Sequence, residues 1–96
     1  MKLVWSAFAR ADREAIFDYI AAQNPLAAIA VDERIQSATE RLIQFPESGR
    51  PGRVEGTREL VIVRTPYIAA YLIAGKSVRI LRVLHGAQLW PEKLPQ

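Results

Sequence analysis

The chain contains no cysteine. Disulfides, thiolate nucleophiles and cysteine-ligated zinc are therefore excluded. It has one histidine, His85, and its carboxylates are dispersed, so no metal cluster and no cofactor is expected. No apolar run approaches the roughly 18 residues needed to cross a bilayer, and no membrane association is expected. The first strand-like stretch already begins at Lys2, which is expected to leave no room for a signal peptide and implies a cytoplasmic protein. Gly49-Arg-Pro-Gly52 is not a phosphate loop, because it lacks the glycine pattern, the lysine and the strand-to-helix context. No repeat is visible.

What is present is globular in composition. Half of the 96 residues are apolar and 24% are charged, and a chain of this length makes one domain, residues 1–96, with a modest core. Net charge is +3, unevenly spread. Residues 1–48 carry five basic and seven acidic side chains, and residues 49–96 carry eight and three. A basic second half suits a polyanion or an acidic protein partner.

Periodicity sets the element order. Residues 2–5 read as a strand. Ser6 caps a helix over about 7–22, with Asp12 and Glu14 favoured near its start by the helix dipole. Ala9, Asp12, Ile16, Tyr19 and Ile20 share one face of it. Asn24-Pro25 ends one helix and starts another, Asn as N-cap and Pro at the first helical position. In this second helix, over 25–44, Val31, Ile35, Ala38, Leu42 and Phe45 form a stripe, and Val31, Ile35, Leu42 and Phe45 are expected to be buried. Pro46 to Gly52 is loop chemistry. Strands follow at about 58–64, 67–73 and 77–85, with Ala74-Gly75-Lys76 as a tight turn.

A small, mostly antiparallel sheet covered by a helix hairpin is the only way to bury these faces. The expected fold is α+β, a two-layer β-α-α-β-β-β sandwich. Unbroken alternation in the last strand places Val78, Ile80, Arg82 and Leu84 on one side and Arg79, Leu81, Val83 and His85 on the other. It leaves an apolar sheet face that the helices do not reach, which suits a partner protein. Arg58 and Arg64 share the parity of Leu60 and Ile62.

Six stretches stand out together: Val4-Trp5-Ser6 with Ala9, Asp12, Ile16 and Tyr19-Ile20; Asn24-Pro25 with Ala27-Ala28; Phe45-Pro with Gly49-Arg50-Pro51; Arg58-Glu-Leu-Val; Tyr67 with Tyr71; and Arg82-Val-Leu-His-Gly-Ala-Gln-Leu-Trp-Pro91. In this order they resemble the RelE/ParE superfamily of toxins. The resemblance spans nearly the whole chain and implies the same helix-hairpin-on-sheet fold. It implies the toxin of a type II toxin–antitoxin pair of the plasmid-stabilisation type, bound in a hetero-oligomer by a cognate antitoxin. ParE-like members poison DNA gyrase, and RelE-like members cut messenger RNA on the ribosome.

Metal-independent RNA cleavage needs a proton-transfer group and cations around the phosphate. His85 is the one side chain suited to the first by its ordinary pKa, and Arg82 and Arg79 are the nearest cations in sequence. The candidate catalytic set is His85, Arg82 and Arg79, with Arg82 and His85 on opposite faces unless a bulge intervenes. Candidate contacts to an antitoxin or target are Arg50, Arg53, Arg58, Arg64, Tyr67 and Trp90, the first three around the Gly49–Gly56 loop. Trp90 either stacks a base or packs the C-terminus. The chain departs from the RelE pattern. Ile68 stands where an arginine follows the middle-strand tyrosine, the basic residues are scattered, and a late tyrosine is missing. These departures favour a gyrase poison. A ribosome-dependent endoribonuclease and a non-enzymatic nucleic-acid-binding module remain the alternatives.

Overall fold

The protein is described by a computed structural model over residues 1–95. Gln96, the end of the expected domain, lies outside the described residues. Five strands form one sheet: β1 (Lys2–Trp5), β2 (Arg50–Pro51), β3 (Arg58–Val61), β4 (Tyr67–Ala74) and β5 (Ser77–His85), in the order β1-β5-β4-β3-β2. The first strand pairs with the last in parallel, Lys2 opposite Ser77 and Trp5 opposite Ile80, and all other pairs are antiparallel. Two helices, α1 (Ala7–Ala21) and α2 (Pro25–Glu40), form the second layer. None of the helices among the described residues is long and apolar enough to cross a membrane.

Local chemistry fixes the helix ends. The Ser6 hydroxyl accepts the Ala9 N–H at 3.0 Å and donates to the Leu81 carbonyl at 2.9 Å. One cap therefore starts α1 and ties it to β5. Asn24 caps α2 through the Ala27 N–H at 3.1 Å, with Pro25 in the first turn. α2 is shorter than its apolar stripe predicts. After Glu40 the chain tightens into a 3₁₀ turn over Arg41–Ile43. The change of pitch keeps Leu42 buried and swings Phe45 off the stripe, so Phe45 is 57% exposed rather than core. Tyr19 is likewise 72% exposed, while its neighbours Ile16 and Ile20 pack inward.

The helix-side core is built from Ile35 and Leu42 against Ile62, Tyr71, Val78 and Ile80, with Val31 half-buried at its margin. Tyr71 is fully buried, and its hydroxyl accepts the Gly49 N–H at 2.9 Å and donates to the Pro46 carbonyl at 2.7 Å. Burial pushes this phenol's pKa up, against the lowering effect of the Gly49 N–H. A Cβ at Gly49 would lie 2.7 Å from the Tyr71 ring and 2.9 Å from the Glu59 carbonyl oxygen. Gly49 is therefore required by close approach, and the loop is pinned to the middle of the sheet. The β4–β5 turn is two residues, with Gly75 at φ +60°, the conformation glycine reaches at least cost.

Three strand expectations need correction. β3 ends at Val61, three residues early, because Arg64 adopts φ +63° and turns the chain back toward β4. A β-bulge at Leu81 shifts the register: Tyr71 pairs with Ile80, but Ala70 pairs with Arg82. The extra residue moves Val83 onto the helix side with Val78 and Ile80. The other sheet face is not left bare. Ala70 and Leu81 there are covered by Val54, Trp90 and Leu94 of the chain itself.

Candidate functional site

β5 ends at His85, directly opposite Tyr67, and the two rings meet edge-on with centroids 5.7 Å apart. The His85 Nδ1 accepts the Ala87 N–H at 3.0 Å, and its backbone N–H donates to Gln88 Oε1 at 3.0 Å. The Trp90 indole N–H donates to the His85 carbonyl at 3.3 Å. The histidine thus anchors the turn that follows the strand. With Nδ1 an acceptor, a neutral ring carries its proton on Nε2.

Arg82 approaches the same end of β5 from the strand edge. Its Nε and Nη2 donate to Asp12 at 2.6 and 2.9 Å, a two-pronged ion pair. The Val83 N–H also donates to Asp12, at 2.9 Å. The hydrogen bonds to Asp12 raise the Arg82 pKa, and partial burial works against them. Asp12, Ile16, Tyr19, Tyr67, Arg82, His85 and Gln88 line a cleft of about 220 Å³. Asp12 was expected to serve the helix dipole, but it lies beyond the first turn of α1 and clamps β5 instead. An arginine inside an apolar strand calls for a counter-charge, and Asp12 was the carboxylate on the inward stripe of α1. That signal was present in the sequence.

The bulge also reverses the placement of Arg79. It precedes Leu81, so it lies on the face opposite Val78 and Ile80, whereas His85 follows the bulge on the side of Val83. Arg79 and His85 do not share a face. Arg82 and His85 still alternate, yet both reach the one cleft because Arg82 extends along the strand edge to α1.

Two of the three cations around the Gly49–Gly56 loop, Arg50 and Arg53, are held by a residue that sequence reasoning missed, Glu59. Its carboxylate, 3% exposed, accepts from Arg50 Nη2 at 3.1 Å, from Arg53 Nε and Nη2 at 3.1 and 3.2 Å, and from the Arg53 N–H at 2.8 Å. Burial pushes the Glu59 pKa up, but the hydrogen bonds from Arg53 and Arg50 outweigh it and hold it below the usual value. The Arg53 guanidinium sits over the Trp90 ring, 3.8 Å from its centroid. Arg58 donates to the carbonyls of Gly49 and Glu47 at 2.7 and 3.4 Å. Tyr67 is buried and presents little surface. Arg64 stands apart, on the β3–β4 turn. No group of three metal-ligating side chains is present among the described residues.

This arrangement, a helix hairpin on a mixed sheet whose first strand lies beside its last, is the fold of the RelE/ParE toxins. The chain belongs to the ParE toxin family: residues 3–90 match the family described as the ParE toxin of the type II toxin–antitoxin system parDE. It is 42% identical over 93 residues to Y4kP of Sinorhizobium fredii, covering 97% of this chain and 96% of the relative. It is 41% identical over 88 residues to toxin RelE2 of Caulobacter vibrioides, covering 92% and 98%. Among solved structures, it is similar to a chain of the chromosomal ParDE system from P. aeruginosa, with TM-score 0.81 and 32% identity over 88% of this chain and 95% of that one. Its function class is accordingly a toxin of the RelE/ParE type.

Proposed function

We propose that this toxin poisons DNA gyrase by binding, performs no chemistry of its own, and is held inactive in a hetero-oligomer by a cognate antitoxin. The reading takes residues 1–96 as one toxin domain acting in the cytoplasm. The observation that carries it is the Asp12–Arg82 fork. The arginine that lines the cleft with the single histidine is already paired at 2.6 and 2.9 Å, so among the described residues that cleft offers His85 no open cation to hold a phosphate. A transition state deprived of one such donor loses roughly 3–4 kcal/mol, about a hundred- to a thousandfold in rate. Arg79 lies on the other face, and Arg50 and Arg53 are bound to Glu59. The match to the ParE family supports the same reading.

The test is induction of the chain without its antitoxin, following gyrase supercoiling with trapped DNA breaks alongside cleavage of ribosome-bound messenger RNA. The expected result is broken DNA, intact message, and toxicity that survives His85→Gln. Codon-positioned message cuts that vanish in His85→Gln, with normal gyrase activity, would establish the endoribonuclease instead.

A further inference from the structure

Two sets of arginines in this chain contrast. Arg13, Arg50, Arg53 and Arg82 each form an ion pair within the fold. Arg34, Arg41 and Arg64 form none among the described residues, and they line one cleft between α2 and the β3–β4 turn. The cleft measures about 450 Å³, and its other lining residues are Ala30, Glu33, Ser37, Ala38 and Val63. Ala30, Arg34 and Ser37 on α2, with Arg41 at its C-cap, run down one side in steps of four, three and four. Small side chains between the two arginines leave the groove open. The facing wall is Val63, 70% exposed, and Arg64. Arg34 Nη1 reaches the Arg64 carbonyl at 3.5 Å, joining the walls at one point.

Arg64 holds a left-handed backbone, φ +63°, which disfavours any side chain and suits glycine. An arginine there carries a conformational cost that no ion pair within the fold offsets. Three guanidinium groups against the single carboxylate of Glu33 leave the cleft at +2.

We infer that this cleft is a docking site for an acidic helical segment of the antitoxin, carrying two carboxylates one on each side of an aliphatic residue. The inference rests on the antitoxin part of the proposed function and not on the gyrase target. Guanidinium forks match carboxylates two bonds at a time. Arg34 on α2 and Arg41, the residue that caps its C-terminus, are seven residues apart, a rise of ~10 Å. Carboxylates at positions i and i+7 of a partner helix repeat that spacing, and an aliphatic residue at i+4 falls between them against Val63 and Ala38. A nucleic acid fits less well. No aromatic side chain lines the cleft to stack a base, and Glu33 repels a continuous phosphate backbone.

The experiment uses the full-length chain and the antitoxin, isolated as the co-expressed protein that binds it. Dissociation constants are measured for the native chain, Arg41→Glu and Arg64→Gly, at low and high salt, with a 20-nucleotide single-stranded RNA as a parallel ligand. Arg64→Gly removes the guanidinium while relieving the backbone, so its melting temperature should hold or rise and its binding can be read on a folded protein. Each variant is expected to weaken antitoxin binding roughly 30-fold, with a shallower salt dependence than the native chain. Antitoxin binding within about twofold of native in both variants would overturn the proposal, as would failure to find any binding partner. RNA binding that is lost in the same variants, with antitoxin binding retained, would also overturn it. Cleft-dependent antitoxin binding by a toxin that leaves gyrase untouched would defeat the target reading alone.

Discussion

The two faces of the sheet are closed by different physics. On the helix side, Ile35 and Leu42 of α2 and the adjoining 3₁₀ turn interlock with Tyr71, Val78 and Ile80. On the other side a thin cover, Val54, Trp90 and Leu94, lies over Ala70 and Leu81. Glu59 holds Arg53, and Arg53 holds Trp90, so that cover is fastened by charge. One face is stabilised by apolar area and should be indifferent to salt and pH. The other depends on a single buried carboxylate and should respond to both.

The largest effect should come from breaking the helix side. Leu42→Ala removes a fully buried side chain and is expected to cost about 2–5 kcal/mol in denaturant unfolding, with no dependence on pH between 4 and 7. Glu59→Gln should cost less, about 1–2 kcal/mol, because the arginines it releases are themselves half in water. Hydrogen exchange should rise in residues 86–95 and around Arg53 while the helices stay protected. Equal loss of protection on both faces would show that the two covers are not separable.

Acid sharpens the same contrast. The Glu59 pKa is lower in the fold than in the unfolded chain. Its stabilising effect is therefore complete above the unfolded value, near 4.3, and is lost as pH falls through the depressed folded value. Native chain and Glu59→Gln should differ in unfolding free energy at pH 7 and converge as pH falls below the unfolded carboxylate value. Trp90→Ala should be milder at about 1 kcal/mol, leaving Leu42 amide exchange unchanged. The smallest effect, and of opposite sign, is expected for Arg64→Gly, which removes a left-handed side-chain penalty and should gain up to ~1 kcal/mol in thermal or denaturant unfolding.

The contrast also marks what could be read in advance. The helix side was legible because it is written in periodicity: Val31, Ile35 and Leu42 repeat at helical spacing, and Ser6 and Asn24-Pro25 cap locally. The failures are places where one residue changes the geometry. The Leu81 bulge has no local signature, yet it moved His85 and Arg79 to opposite faces. Arg64 ended a strand that its β-branched neighbours would have continued, and the 3₁₀ turn put Phe45 in water. The charged pairings were the least legible. Arg82 with Asp12 was signalled only by the place of Asp12 on the inward stripe of α1, and for Glu59 with Arg53 nothing in the sequence states which acid meets which base. Residue types at the candidate site were therefore foreseeable, while their availability was not.

The placement of β5 governs when this protein can exist at all. The strand that β1 and β4 both need beside them is also the last of the described strands to be synthesised. Until Ser77–Ile80 leaves the ribosome, Lys2–Trp5 has no neighbour, and α1 and α2 have no complete surface to cover. At common synthesis rates that delay is roughly 4–15 s for some 75 residues. A parallel pairing between Lys2–Trp5 and Ser77–Ile80 makes completion of this sheet a late event. A chain truncated before Ser77 should be inert and readily degraded, so a ribosome that stalls within this message releases nothing harmful.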